Sequence, residues 1–356
     1  MKIPRPAPDA AVLIIAGGRG TRFWPESRSN RPKPLFSIDG RRSLLAETIA
    51  RMSPLIPRER VYVLASADQA PLFRPVLRRL LPARNLIIEP EGRGTAVAIA
   101  YGTSVIARRM TDQVVVAVMP ADHFVAPAEG FQRTLRDAIA LAAKDAAIVV
   151  IGIKPTRPET GYGYQEIGRA VGRGFRLARF VEKPRPAAAL KMVQSGNFLW
   201  NAGMFVMTAA TLAAELEQHA PKLAAAMSGF GAMRGVELER RYRTLDFDSF
   251  DRVVAEKSRN VLGVRARFQW HDVGSWEGLW EAMRGRGTVV LSGNAVAVGA
   301  ERVLARARDR LMVLVGVSDL VAVDAGDAIL IARKSESQDV RRVIEELKRR
   351  GLGRYT

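Results

Sequence analysis

The sequence contains no cysteine. Disulfide bonds and thiolate chemistry are therefore excluded, and we expect a protein of the reducing cytoplasm. No apolar run reaches the length of a membrane-spanning helix, so we expect no membrane partner. Aromatic residues make up only 7% of the chain, and neither an RNA-binding aromatic motif nor the Cys/His spacing of a zinc site occurs.

Acidic residues are too few to balance the basic ones, and the net charge is +19. An excess of this size indicates a polyanionic partner, either a phosphate ligand or a nucleic acid. The basic residues are scattered along the chain, so we favour phosphate ligands and expect no specific nucleic-acid partner. A nucleic-acid-binding protein stays an alternative, and tight binding at physiological salt would support it.

The arrangement of apolar runs predicts an α/β fold. Between Ala11 and about Ile153, Val/Ile-rich runs alternate with helical patterns, which is typical of a Rossmann-like, mostly parallel sheet with helices on both faces. From Pro155 to about Glu281 the alternation is irregular, and we interpret this part as an insertion that builds one wall of a substrate cleft. No internal repeat or low-complexity linker appears.

A change of pattern after Gly285 predicts a second, smaller domain. Short β-rich runs follow, and a last helix is predicted to start at Ser335, with Gln338 as its capping-box partner. We therefore predict a catalytic domain at residues 1–284 and a small C-terminal β domain that ends in a helix at residues 285–356.

The most informative stretch is a strand followed by glycines and cations. The apolar run Ala11 to Ala16 leads into Gly17, Gly18 and Gly20, whose backbone N–H groups are open to an anion. Five cations follow in the same loop, namely Arg19, Arg22, Arg28, Arg31 and Lys33. The pattern predicts a cradle for a polyphosphate, although neither a P-loop nor a dinucleotide fingerprint fits the glycine spacing. A glycine-rich surface turn is the structural alternative.

Two carboxylates stand at predicted strand ends. Asp122 follows the strand Val114–Met119, and Asp272 follows the strand-like run Val261–Trp270, before a predicted helix. Carboxylates at the carboxyl ends of strands face the ligand crevice and can hold Mg²⁺. Each could equally be an ordinary turn or helix-cap acid.

A resemblance decides between these alternatives. The run Gly17 to Arg28, with Pro32-Lys33, resembles the signature of sugar-nucleotide pyrophosphorylases, and Trp24-Pro25 with Ser27-Arg28 resembles their mannose-1-phosphate guanylyltransferase branch. Further family segments match in order: the runs 89–95, 120–123, 161–164, 182–184, 199–205 and 270–276. Two departures bear on nucleotide contacts, Pro34 where Gln is usual and Gly94 where Asn is usual.

The resemblance implies a GT-A-like nucleotidyltransferase fold and a C-terminal unit resembling a short left-handed β-helix that forms a homodimer contact. It implies transfer of GMP from GTP to mannose 1-phosphate, assisted by Mg²⁺, through in-line attack of the sugar phosphate on the α-phosphorus. The implied residues are Arg22, Lys33 and Lys183 for catalysis; Asp122 and Asp272 for the metal; Ala16, Gly17, Gly18, Gly20, Thr21, Glu89, Pro90, Gly92, Arg93 and Thr95 for the nucleotide; and Gly163, Glu182 and Asn201 for the sugar.

Two other functions stay open. The first is a guanylyltransferase for another sugar 1-phosphate, such as a heptose or a different hexose. The second is a catalytically silent regulatory paralogue that binds a GDP-sugar. Loss of an acid or of Arg22 would favour the silent paralogue, but all of these residues are present.

Overall fold

The computed structural model describes residues 9–18, 20–227, 229–285 and 287–356, so Arg19 of the glycine-rich loop lies outside the described residues. The chain divides into two compact units. The larger comprises the residues up to Gly17 together with Ile49–Pro120 and Ala126–Gln269; the smaller comprises Gly18–Thr48, Ala121–Val125 and Trp270–Thr356. The predicted boundary after residue 284 stays a prediction.

Strands and helices are numbered in chain order. The strands are β1 (Ala10–Ile15), β2 (Val61–Ser66), β3 (Leu86–Glu89), β4 (Val115–Pro120), β5 (Phe124–Ala126), β6 (Ile148–Ile153), β7 (Tyr164–Val171), β8 (Gly174–Val181), β9 (Phe198–Thr208), β10 (Val261–Arg265), β11 (Gln269–His271), β12 (Val289–Val298), β13 (Val303–Val315), β14 (Leu320–Asp324) and β15 (Ile329–Arg333). The α-helices are α1 (Leu44–Met52), α2 (Ala70–Leu77), α3 (Thr95–Arg109), α4 (Ala128–Asp145), α5 (Pro186–Ser195), α6 (Ala209–His219), α7 (Pro221–Met227), α8 (Gly235–Arg243), α9 (Trp276–Met283) and α10 (Val340–Arg349). Of the helices described, none is both long enough and apolar enough to cross a membrane.

The larger unit is built on a nine-stranded sheet with the order β3-β2-β1-β4-β9-β6-β10-β8-β7. All of its strands except β8 and β9 run in the same direction. Every residue of β6 is buried. Helices flank the sheet, so neither face of this central strand is open to solvent. The predicted α/β fold is confirmed.

The irregular region after Pro155 completes this sheet. Its strand β9 lies between β4 and β6 and is antiparallel to both, and β7 and β8 form one edge. Strand β9 begins at Phe198, because Leu199 and Trp200 also pair with strand β7. Helix α5 precedes strand β9 in the chain and helix α6 follows it directly.

The smaller unit contains the four-stranded sheet β12-β13-β14-β15. Strands β12, β13 and β14 are parallel to one another. Ala295 of β12 pairs with Met312 of β13, and Leu304 of β13 pairs with Val321 of β14, so the partner in each pair lies one coil further along the chain. Parallel neighbours with such short connections form the coils of a β-helix, so the predicted C-terminal β domain is confirmed. The predicted helix start at Ser335 is wrong: Lys334–Glu336 is a 3-10 turn fixed by the Lys334 N–H on the Asp319 carbonyl, and α10 begins at Val340.

One hydrophobic core joins distant parts of the smaller unit. The rings of Phe23 and Phe36 pack on Trp276, with centroid distances of 4.9 and 6.0 Å. The same core contains Leu304 of β13 and Val321 of β14. The Trp276 indole N–H also donates to the Trp24 carbonyl at 3.1 Å. The segment after the glycine-rich loop, helix α9 and the C-terminal sheet therefore fold as one body.

Candidate active site

The glycine-rich loop begins where β1 ends. The Ala16 N–H still donates to Leu64 of the sheet at 2.8 Å, whereas Gly17 and Gly18 are exposed. Gly20 has φ of 60°, and a Cβ there would overlap the Lys33 Cβ and lie 2.9 Å from the Ser27 hydroxyl. Glycine is therefore required at position 20, because it lets the Lys33 stem pass directly against the loop.

Lys33 lies between the two predicted metal ligands. Its side chain is buried, and its ammonium donates to the Asp122 carboxylate at 2.7 Å and to the main-chain carbonyl of Asp272 at 2.9 Å. Burial opposes the ionisation of Asp122, but the charges of Lys33 and His123 outweigh it and hold the pKa of Asp122 below its usual range. Asp122 is therefore ionised at neutral pH.

Arg22 and Asp272 meet at Gly274. The exposed Arg22 guanidinium donates to the Gly274 carbonyl at 3.4 Å, and Asp272 Oδ1 accepts from the Gly274 N–H at 3.2 Å. Helix α9 is capped by Ser275, whose hydroxyl accepts from the Gly278 N–H at 3.2 Å. Asp272 is thus a turn residue and not the helix cap. The structure brings Arg22, Lys33, Asp122 and Asp272 together within the smaller unit.

The donor atoms of this cluster suit a hard divalent cation. Carboxylate and carbonyl oxygens are the donors that Mg²⁺ prefers, and Mg²⁺ commonly takes one or two carboxylates while water and phosphate fill its shell. Across the described residues, no group of three or more His, Cys, Asp or Glu is arranged to hold a metal. The carboxylates of Asp122 and Asp272 supply two oxygen donors of the kind that a divalent metal accepts.

The predicted nucleotide loop follows β3 in the larger unit. Glu89 is buried, its carboxylate accepts from the Tyr242 hydroxyl at 2.7 Å, and burial raises its pKa to about 7. Arg93 is held by the Glu91 carboxylate at 2.7 Å. Thr95 begins α3, and its hydroxyl accepts from the Phe250 N–H at 3.0 Å. Pro90 is partly exposed and Gly92 is exposed. Residues 242–250 thus hold the loop in place through these two hydrogen bonds.

Gly94 shows why this chain departs from the residue usual in the resembling family. Its φ is 85°, and a Cβ would overlap the Phe247 carbonyl and lie 3.1 Å from the Asp248 carbonyl. The same glycine precedes α3, whose first turn has no side-chain cap. Gly94 therefore supplies no side-chain cap to the first N–H groups of α3.

The three predicted sugar-binding residues lie together in the larger unit. The Asn201 N–H donates to the Gly163 carbonyl at 2.7 Å, and a Cβ at Gly163 would lie 2.8 Å from the Glu182 carboxylate. The Lys183 ammonium is 3.0 Å from Glu182, and its backbone has φ of 47°. Lys183 is half exposed and lies beside this cluster.

Two residues that the sequence analysis missed orient Asn201. Its side-chain oxygen accepts from Gln165 at 3.1 Å, and its side-chain nitrogen donates to Asp251 at 2.8 Å. Burial and the nearby Glu182 raise the pKa of Asp251 to about 6. No motif marks Asp251 in the sequence, because its partner Asn201 is fifty residues away along the chain.

Comparisons with known proteins identify related sequences for both parts of the chain. Residues 11–287 match the nucleotidyl transferase family, and residues 293–347 match the MannoseP isomerase/GMP-like beta-helix domain. The mannose-1-phosphate guanylyltransferase of Escherichia coli is 35% identical, with coverage of 96% of this chain and 75% of that protein. The mannose-1-phosphate guanylyltransferase ManC of Salmonella typhimurium is 36% identical, with coverage of 95% and 73%.

A solved structure shows the same fold over nearly the whole chain. The crystal structure of a protein from Thermus thermophilus, named mannose-1-phosphate geranyltransferase, superposes with a TM-score of 0.87 at 34% identity. The match covers 96% of this chain and 99% of that one.

Proposed function

Because the chain belongs to the nucleotidyl transferase family, we propose that it transfers GMP from GTP to mannose 1-phosphate, forming GDP-mannose and pyrophosphate. One observation carries this proposal to particular residues: Lys33 is held by Asp122 and Asp272 directly behind the glycine-rich loop. The cluster places a cation and two acidic residues beside the phosphate loop, and phosphoryl transfer by positioning and charge neutralisation needs such groups.

We assign the catalytic roles by charge and position. An oxygen of the sugar phosphate attacks the α-phosphorus of GTP in line, and pyrophosphate leaves. Arg22 and Lys33 bind the triphosphate, and Lys183 binds the reacting phosphates. Nucleotidyl transferases generally use a divalent metal. We propose Mg²⁺, held by Asp122 and Asp272, which when bound neutralises phosphate charge.

The remaining residues are assigned to the two substrates. Ala16, Gly17, Gly18, Gly20 and Thr21 line the phosphate loop. The segment Glu89–Thr95 recognises guanine through its backbone and through the uncapped first turn of α3. Gly163, Glu182 and Asn201 bind sugar hydroxyls, because the Asn201 amide and the Glu182 carboxylate supply both donors and acceptors.

We further propose a homodimer through the C-terminal domain. Strands β12 and β13 carry an exposed apolar strip in which Val296 pairs with Val313 and Val298 with Val315. These four side chains are 46–66% exposed, and burial of such a strip against a second copy would remove apolar surface from water. Val313→Lys should convert a dimer to a monomer in light-scattering measurements. We also propose a cytoplasmic location, where GTP is available.

A grid of substrates tests the reaction. The purified protein is incubated with Mg²⁺, one of the four ribonucleoside triphosphates and one of several sugar 1-phosphates, and pyrophosphate release is measured. We expect the largest kcat/KM with GTP and mannose 1-phosphate. A several-fold preference for another nucleotide would contradict the assignment of guanine. Preference for a heptose or another hexose phosphate would replace mannose, and no turnover with GDP-sugar binding would support the silent regulatory protein.

A further inference from the structure

The Lys33 ammonium has the surroundings of a bound cation. It donates to a carboxylate oxygen of Asp122 at 2.7 Å and to the carbonyl oxygen of Asp272 at 2.9 Å, and it lies 5.8 Å from the centroid of the Phe23 ring. The two oxygens belong to the two residues assigned above to the metal. The side chain of Lys33 is only 10% exposed and that of Asp122 is 25% exposed, so water screens the pair weakly.

We propose that Lys33 and a divalent metal compete for Asp122, so that metal binding releases Lys33 to the triphosphate. This inference rests on the metal role proposed for Asp122 and Asp272. Two cations cannot share a partly buried carboxylate without repulsion, because like charges a few ångströms apart interact strongly where water is scarce. A divalent cation held by Asp122 would carry twice the charge of the ammonium, so the Lys33 ammonium would leave the carboxylate.

The structure also limits how Lys33 can move. Its Cβ lies directly against Gly20, where no side chain other than hydrogen fits. The first part of the stem is therefore fixed on the glycine-rich loop. Only the outer methylenes and the ammonium can turn, so a released ammonium stays beside the loop that is assigned to the phosphates. Metal binding and nucleotide binding should accordingly strengthen each other.

The first test measures metal binding without nucleotide. Lys33→Met removes the competing cation, so Mn²⁺ should bind about five- to tenfold more tightly than to the wild type, measured by calorimetry and by electron paramagnetic resonance. Lys348→Met is the matched control, because Lys348 is exposed on α10 and the change of charge is the same. Unchanged or weaker Mn²⁺ binding by Lys33→Met would overturn the proposal, since a merely structural lysine would leave a looser site.

The second test measures GTP binding in EDTA and does not depend on how well Lys33→Met folds. Asp122→Asn keeps the side-chain shape but removes the charge that holds the ammonium. In the absence of metal, Asp122→Asn should therefore bind GTP about fivefold more tightly than the wild type, even though it lacks an acidic residue that is assigned to the metal. Unchanged or weaker GTP binding would refute the competition.

The two tests separate the inference from the function it rests on. If Asp122→Asn still binds Mn²⁺ as the wild type does, the assignment of the metal to Asp122 is wrong, and the competition falls with it. If Asp122→Asn loses Mn²⁺ while Lys33→Met shows no gain, the metal assignment stands and only the competition is refuted. Tighter Mn²⁺ binding by Lys33→Met together with tighter metal-free GTP binding by Asp122→Asn supports both.

Discussion

Replacing Asp272 with Asn isolates the charge of one proposed metal ligand. Asp272 Oδ1 accepts the Gly274 N–H at 3.2 Å, and an Asn side-chain oxygen can accept the same hydrogen bond. The contact of Asp272 with Lys33 uses the main-chain carbonyl, which the substitution leaves in place. Helix α9 keeps its cap, because that cap is Ser275. The variant should therefore fold normally and lose only one negative charge.

The size of the effect follows from where that charge acts. A ligand that stabilises charge mainly in the transition state changes kcat more than KM. Removing one such electrostatic contact costs about 3–4 kcal/mol, or about 10²–10³ in rate. GTP affinity should change little, because the triphosphate contacts are assigned to Arg22 and Lys33. If Asp272 only shapes the turn, Asp272→Asn should keep almost full activity, because Asn suits a turn as well as Asp does.

The assay is steady-state pyrophosphate release at several Mg²⁺ concentrations, with GTP affinity and melting temperature measured on the same samples. Asp309→Asn is the matched control, because Asp309 is an exposed carboxylate of the same unit. We expect a kcat about 10²–10³ lower for Asp272→Asn, partly restored by excess metal, and an unchanged kcat for the control. A kcat within about twofold of the wild type in a folded variant would refute the metal assignment.

Three further predictions concern the framework of the site. Arg306→Met should destabilise the protein by about 3–5 kcal/mol in urea titrations, because it leaves the buried Glu26 carboxylate, now 3.0 Å from Arg306, without its partner; a loss under about 1 kcal/mol would contradict this. The pKa of Glu89 is raised to about 7 from 4.5, so its contribution to stability is complete below pH 4.5 and is lost as the pH rises through 7. Between pH 4.5 and 8, the free energy of unfolding of Glu89→Gln should therefore fall by about 3 kcal/mol less than that of the wild type. Identical pH profiles of the two proteins in urea unfolding would show that Glu89 is not the cause. Gly94→Asn, although it restores the residue usual in the resembling family, should overlap the Phe247 carbonyl, cost about 1–3 kcal/mol and weaken GTP binding; a neutral result in melting and GTP titration would disprove the overlap.

Local patterns in the sequence are enough to predict much of the fold. The continuous apolar runs of β1, β2, β4 and β6 are buried on both faces, which is the condition under which a run of Val and Ile predicts a central parallel strand. The first part of β13 has no continuous apolar run, because arginines interrupt its apolar residues. In the structure Arg306 is buried on Glu26, a contact across 280 positions that no local pattern contains.

The candidate site divides in the same way. The glycine loop and the acids at strand ends have local signals, and the structure gathers Arg22, Lys33 and both acids as the resemblance implies. Asp251 and Tyr242 have none, because each matters only through a distant partner, Asn201 and Glu89 respectively. Pairing of this kind depends on tertiary structure, so no local pattern in the sequence indicates it.

The shared core of the smaller unit has a consequence for recombination between relatives. Phe23 and Phe36, on either side of Lys33, pack on Trp276, and the same core reaches β13 and β14. In a chimaera that exchanges only the last seventy or so residues, the segment that carries Lys33 would pack against residues of a different protein. The unit to exchange is therefore discontinuous: residues 18–48, 121–125 and those from 270 onward should be exchanged together. Crossovers that respect this grouping should yield folded hybrids.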